Sequence, residues 1–231
     1  MNRNTQVPCP SSSERRLLGV SRHASIDSQL KALKSFSRRL TLALDAFRDD
    51  HKVLERLYYK GKNQHRLSLF WRRVSEIRRF CQRLNELHID QVVDILWKSF
   101  FSDGVLPFEA TKGSWTHFPD RPFVTLVSQK LNMCSALVTR VWTFLHLRAH
   151  LDFVLQMQER LTEAYRSFTL AMQSGAFLQL ILTLVAVVSR IRMVCEVLHS
   201  ILQINLDITR HILDILPAAV CFLIFQLLTF T

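Results

Sequence analysis

An apolar repeat with helical spacing is the feature that most constrains the fold of this chain. From Leu67 to His88, apolar residues recur at alternating steps of three and four: Leu67, Phe70, Val74, Ile77, Cys81 and Leu84. At about 100° per residue these positions share one arc, which predicts an amphipathic helix with that arc against a core. Arg72, Arg79 and Arg83 lie within about 40° of one another on the opposite face and should project outward.

The rest of the chain also favours helices. Only five Gly and six Pro occur among 231 residues, 48% of the residues are hydrophobic, and alternating strand patterns are few. This composition is too apolar for a disordered chain and allows a substantial core. We therefore predict an all-α fold, a multi-helix bundle with a basic N-terminal half and an apolar C-terminal half.

Local composition divides the chain into three parts. Residues 1–27 are polar and contain Pro8, Pro10 and a Ser run, which predicts a disordered basic tail. Residues 28–202 are predicted to form one helical domain. Its helices are expected to begin near Asp27–Ser28 and Asp49–Asp50 and to cover 67–88, 89–101, 123–147, 151–172 and 176–202, with a loop over 102–122.

The final part, residues 203–231, is predicted to form an apolar C-terminal helix with two open interpretations. Residues 215–231 contain no charged side chain, and a spanning helix needs about 20 apolar residues with a lower limit near 17. The segment could therefore be a membrane tail anchor. It could equally be the centre of a helix bundle, and Pro217 and Gln226 weaken the membrane interpretation.

Positive charge is concentrated in the N-terminal half. Residues 1–100 hold 20 Lys and Arg against 10 Asp and Glu, which is a net charge of +10 out of +11 for the whole chain. Such an excess indicates a polyanionic partner, either a nucleic acid or an anionic membrane surface. Composition alone does not choose between them.

No pattern in the chain indicates an enzyme. The five Cys are scattered, without the spacing of a zinc site or a disulfide framework, which favours a reducing compartment. His146 and His150 are four residues apart, but no further ligand pattern accompanies them. We expect no catalytic residues, no metal and no cofactor.

The strongest functional signal is the basic and aromatic stretch from Arg56 to Arg83. Basic side chains contact phosphates, and aromatic rings stack on unpaired bases. The predicted RNA contacts are Lys60, Lys62, Asn63, Gln64, His65, Arg66 and Arg73, with Arg72, Arg79 and Arg83 as an outward stripe. The alternative is a scaffold with a solvated basic face, in which Tyr58, Phe70 and Trp71 belong to the core. Gly61 either permits a kink or only lowers helix stability.

Within this stretch the sequence resembles a known family. The block LERLYYKGKNQHRLSLFWRRVSEIRRFCQRL resembles the N-terminal domain of the nucleolus and neural progenitor protein family, through Leu57–Lys60, Lys62–Arg66 and Phe70–Trp71. Two weaker matches are the helices at Pro122–Leu131 and Val188–Arg192. The resemblance covers about residues 28–202, whereas residues 217–231 match no family pattern.

The resemblance implies a non-catalytic subunit of the ribonuclease MRP particle. Such a subunit would bind the RNA of that particle and its other protein subunits, in the nucleolus of the nucleus, during precursor ribosomal RNA processing. Cleavage would belong to the RNA and its Mg²⁺. A tail-anchored membrane protein with a basic helical domain is the alternative function.

Overall fold

Helices make up nearly all of the described chain. A computed structural model describes residues 12–98, 100–101, 115–119 and 135–215. Its helices are α1 (Val20–His65), α2 (Leu69–Glu86), α3 (Ile89–Lys98), α4 (Ser135–Met172) and α5 (Leu178–Ile215), and its two short strands are β1 (Ser12–Glu14) and β2 (His117–Pro119). The prediction of an all-α multi-helix fold is confirmed.

Helix α1 is longer than the sequence pattern predicts. It begins at Val20, inside the predicted tail, and continues through Asp49–Asp50, where a second helix was expected to start. Both carboxylates have partners, one in α1 itself and one on α5. Asp49 accepts a 2.9 Å hydrogen bond from Lys52, and Asp50 is 3.0 Å from the Arg190 guanidinium. The acidic pair therefore does not need a helix N-terminus.

The C-terminal helices are also continuous where breaks were predicted. Helix α4 runs through the expected break between 147 and 151, and α5 runs through the expected break near 203. Residues 123–134 of the predicted helix over 123–147 lie outside the described residues, as do 102–114 and 120–122 of the predicted loop over 102–122. Residues 115–119, also predicted as loop, contribute strand β2.

The contacts divide the chain into two compact units, and helices α1, α4 and α5 contribute a segment to each. The first, which we call the bundle unit, comprises Arg38–His88 and Ala149–Gln203. The second, the terminal unit, comprises Met1–Ser37, Ile89–Arg148 and Ile204–Thr231. The predicted boundaries at 27/28 and 202/203 differ from this division because the N-terminal end of α1 and the C-terminal end of α5 both belong to the terminal unit.

The bundle unit is an antiparallel four-helix arrangement of parts of α1, α2, α4 and α5. Helix α1 runs antiparallel to α2, as shown by the pairs His51–Asn85, Glu55–Arg78 and Tyr58–Trp71. Helix α2 runs antiparallel to α4 through Arg73–Glu163 and Phe80–Phe153. Helix α5 runs antiparallel to α1 through Asp50–Arg190 and His65–Phe177.

The amphipathic pattern of α2 matches its buried face. The buried residues are Phe70, Trp71, Val74, Ile77, Cys81 and Leu84. Five of these were predicted, whereas Leu67 precedes the helix and its side chain is 84% exposed. Arg72, Arg79 and Arg83 are exposed on the outer surface, as their angular positions predict.

In the terminal unit, residues 12–27 are ordered, in contrast to the predicted disordered tail. Strand β1 pairs antiparallel with β2, with Ser13 opposite Phe118. The buried Trp115 indole donates a 2.7 Å hydrogen bond to Asp27, and the Arg15 guanidinium lies 4.4 Å from its ring centroid. These long-range contacts, rather than any local periodicity, hold the N-terminal segment in place.

Among the helices that the structure describes, none combines the length and the apolar character required to cross a bilayer. Of the apolar run that suggested a tail anchor, only Ile215 is described, and residues 216–231 lie outside the described residues.

Candidate nucleic-acid interface

The C-terminal end of α1 presents a dense set of exposed polar and cationic side chains. We call this set the basic end; its members are Arg56, Tyr59, Lys60, Lys62, Asn63, Gln64 and Arg66. The Tyr59 side chain is 85% exposed, the highest value among the large apolar and aromatic residues of the described chain. Five of the predicted RNA contacts belong to this set: Lys60, Lys62, Asn63, Gln64 and Arg66.

The positive charge of the basic end is not compensated locally. No acidic residue occurs from Arg56 to Ser75 in the sequence. Among the described residues, no carboxylate pairs with Lys60, Lys62 or Arg66. Two turns earlier on the same helix a cation is compensated, because Lys52 pairs with Asp49 at 2.9 Å. A local positive potential therefore builds up where α1 ends.

An aromatic and ionic seam joins α1 to α2 beneath this surface. The Tyr58 and Trp71 rings stack with centroids 5.7 Å apart and planes at 9°. The Arg78 guanidinium lies 4.6 Å from the Tyr58 ring centroid and donates hydrogen bonds of 2.7 and 2.9 Å to Glu55. Trp71 is buried in the core, and Tyr58 is half-buried against it. Tyr59 is the exposed ring of this stretch.

Gly61 is required by this seam, and α1 continues through it without a break. A Cβ at position 61 would lie 2.9 Å from Cζ3 and 3.0 Å from Cζ2 of Trp71, and closer still to Cη2. The indole therefore occupies the space that any other side chain would need. From the sequence, Gly61 was predicted only to permit a kink or to lower helix stability, because its partner Trp71 is ten residues away on the next helix.

His65 is placed in the core, so it is removed from the predicted RNA contacts. Its side chain is buried, and its ring centroid lies 5.6 Å from that of Phe70, 5.4 Å from Trp71 and 4.5 Å from Phe177. Sequence reasoning grouped it with Gln64 and Arg66 because all three share one polar run. On the helix, however, His65 faces α2 and Phe177, whereas its two neighbours face outward.

Arg73 belongs to an ionic cluster instead of an open cationic surface. Its guanidinium lies 2.8 Å from Glu76 and 3.2 Å from Glu163, and Arg160 is 3.6 Å from Glu76 and 3.1 Å from Glu163. The hydrogen bond to Glu76 raises the pKa of Arg73 above its usual value. The charge of Arg73 is thus balanced by two carboxylates, and it links α2 to α4.

The outward stripe on α2 is exposed but has acidic neighbours. Arg79 and Arg83 line a surface hollow together with Glu76 and Glu86. The Arg79 Nε also donates a 3.3 Å hydrogen bond to the carbonyl of Ser75. Arg72, one turn after the start of α2, lies nearest in sequence to the basic end and within the acid-free segment.

Burial shifts the pKa of several titratable groups in the bundle unit. Burial raises the pKa of the Cys195 thiol to about 12 and raises that of Cys81, so neither forms a thiolate at neutral pH. Burial lowers the pKa of His51 and raises that of Asp50. Over the described ranges, no group of three or more His, Cys, Asp or Glu side chains is placed to hold a metal ion.

No protein-family model, curated protein or solved structure matches this chain.

Proposed function

We propose that this protein binds structured RNA through the basic end of α1 and has no catalytic role of its own. The observation that carries the proposal is the group of four exposed cations, Arg56, Lys60, Lys62 and Arg66, in a segment without acidic residues. Phosphate neutralisation and counterion release supply most of the affinity of such a surface.

The side chains between the cations are better suited to binding RNA than to binding a polyanion without bases. Tyr59 offers one exposed face on which an unpaired base can stack. The Asn63 and Gln64 amides can donate to and accept from base edges. An outer contact extends to Arg72, whereas His65 and Arg73 stabilise the fold beneath and beside the surface.

We further propose that the RNA and its particle are of the ribonuclease MRP type. The support is the sequence resemblance at Leu57–Trp71, where the matched residues include most of the basic end. On this proposal the protein acts in precursor ribosomal RNA processing in the nucleolus, bound to the particle's RNA and to other protein subunits. The RNA of the particle performs the cleavage.

A salt titration tests RNA binding directly. The probe is a fluorescent RNA hairpin with an unpaired loop, and the variant carries K60Q, K62Q and R66Q. We expect weaker binding, and a slope of log K against log salt that is shallower by about 0.7 to 0.9 for each lost phosphate contact. The control carries K31Q, R148Q and R210Q, which removes three exposed cations outside the bundle unit.

Equal slopes for the two triple variants would refute the assignment of the basic end. The particle is tested separately by sequencing the RNA that co-purifies with the tagged full-length protein. Extraction with alkaline carbonate tests the membrane alternative, since a spanning segment would keep the protein in the membrane fraction.

A further inference from the structure

Six large apolar side chains are exposed at one end of the bundle unit. We call them the apolar tip: Leu67, Leu69, Leu170, Phe177, Leu178 and Leu182. Their exposed fractions range from 44% for Leu178 to 84% for Leu67. A group of large apolar side chains exposed together marks interaction sites on soluble proteins.

The six residues come from two helix corners that lie side by side. Leu67 and Leu69 belong to the corner between α1 and α2. Leu170 lies in the last turn of α4, Phe177 in the connection that follows, and Leu178 and Leu182 in the first turns of α5. The His65 ring joins the two corners, because it contacts Trp71 on one side and Phe177 on the other at 4.5 Å.

The backbone holds part of this tip in an unfavourable conformation. Phe177 has a φ angle of 58°, in the left-handed region that costs a bulky side chain about 1–2 kcal/mol, and Gly175 precedes it at 68°. This conformation places one edge of the Phe177 ring against His65 and leaves 59% of the residue exposed. Such strain persists where the surrounding contacts fix the residue, often at a functional position.

The tip is surrounded by cations and lacks acidic residues. Lys62, Arg66 and Arg72 flank the first corner, and Arg166 lies one turn before Leu170; all four are exposed. No Asp or Glu occurs over residues 56–75 or 164–195. A complementary ligand must therefore combine apolar groups with negative charge. A second copy of this chain is a poor ligand because it would bring the same cations.

We propose that the apolar tip docks an acidic amphipathic helix of a partner protein. Leu178 and Leu182 are four residues apart on α5, and such rows pack against the ridges of another helix. Trp and Tyr, which are enriched where proteins meet lipid headgroups, are not among the six tip residues, and this favours a protein over a membrane. The docking site itself does not depend on the proposed function. Only the identification of the partner protein as a subunit of the same particle rests on that function.

A model peptide tests the docking chemistry with the full-length protein. The probe is a fluorescent peptide of about 18 residues with leucines along one helical face and glutamates elsewhere. We expect saturable binding by fluorescence anisotropy, and no binding of the same peptide with lysine in place of glutamate. The double variant L67S/L69S should bind the acidic peptide about tenfold more weakly or worse.

The control is L42S, because Leu42 is 71% exposed on α1 outside the tip. The docking proposal is overturned if the acidic peptide does not bind or if L67S/L69S binds it as L42S does. It is also overturned if the wild-type protein does not bind the acidic peptide but sediments with phosphatidylserine vesicles, and L67S/L69S abolishes that sedimentation.

The same variants separate this proposal from RNA binding. L67S/L69S should bind the RNA hairpin with unchanged affinity and salt slope, since both leucines carry no charge. If the wild-type protein fails to bind RNA but binds the acidic peptide, the proposed function fails and the docking site stands.

Discussion

At the scale of single residues, Gly61 reverses the usual effect of glycine in a helix. Replacing an interior helical glycine with alanine normally stabilises a protein by about 1 kcal/mol. Here G61A drives a methyl group into the Trp71 ring, so we expect a loss of roughly 1–3 kcal/mol from overpacking. Denaturant unfolding monitored by circular dichroism measures the difference.

The control for this substitution is G19A. A Cβ at Gly19 meets no atom closer than Ser21 Oγ at 3.9 Å, so G19A has no overpacking cost. Gly19 caps the start of α1, and the weaker capping by alanine should lower the unfolding free energy by at most about 1 kcal/mol. A stabilising G61A would mean that the Trp71 indole does not rest on α1.

Tyr59 provides a second prediction at this scale. Its ring is almost entirely exposed and carries no charge at neutral pH, so Y59A should weaken binding to the RNA hairpin by about 1–3 kcal/mol of stacking free energy. The salt slope should stay at the wild-type value, because no phosphate contact is lost. Unfolding of Y59A in denaturant should match the wild type, and a binding loss that disappears at high salt would contradict stacking.

At the scale of helices, neighbouring arginines on α2 should separate binding from stability. R73Q breaks one ion pair within α2, to Glu76, and one between α2 and α4, to Glu163. Because these side chains are partly exposed, we expect a cost of at most about 1 kcal/mol in unfolding free energy. R72Q should leave stability unchanged and lower the RNA salt slope by about 0.7 to 0.9. If the RNA salt slope fell in R73Q and stayed normal in R72Q, Arg73 would be the RNA contact and Arg72 would not.

The seam between α1 and α2 should also respond to pH. Burial holds the pKa of His51 below its ordinary 6.5, against the opposing influence of Glu55. The unfolded chain therefore takes up a proton first, so stability is full above pH 6.5 and falls as the pH drops below it. Asp50 has the opposite effect on stability at more acidic pH. Burial raises its pKa above 3.8, so the folded protein takes up this proton before the unfolded chain does, and stability rises as the pH falls.

Unfolding free energies of the wild type and H51Q, measured between pH 7.5 and 4.5, isolate the histidine contribution. The wild type should lose more stability than H51Q over this interval. Identical pH profiles would show that His51 is not desolvated in the folded protein. The Asp50 contribution cancels in this comparison, since both proteins retain that carboxyl group.

The same helices show how much the sequence could predict. The period of α2 identified most of its buried face and its three outward arginines, because both depend only on angular position along one helix. The continuity of α1 could not be predicted, since it depends on Asp50 meeting Arg190, which lies 140 positions later in the chain. His65 and Arg73 were placed with the RNA contacts for the same reason, because their partners Phe177 and Glu163 are distant in the sequence.

At the scale of the whole molecule, the charge asymmetry links binding to stability. A ligand that binds the folded state alone stabilises it, and RNA at about one hundred times its Kd should add about 2.7 kcal/mol. The added stability should fall as salt rises from about 50 to 200 mM. Thermal unfolding with and without the RNA hairpin measures this effect, and the K60Q/K62Q/R66Q variant should show less of it at the same RNA concentration. Salt-independent stabilisation would exclude phosphate contacts as its source.

Gly61 is the sole glycine in α1, so the Trp71 indole can rest at one level along that helix. A slip of α2 by one turn would press the ring against a full side chain, and the two helices therefore have a single alignment. The spacing between the cations on α1 and Arg72 on α2 is consequently fixed when the chain folds. On the proposed function, a transcript would meet helices already in their final alignment, and association would not carry the conformational cost of arranging them.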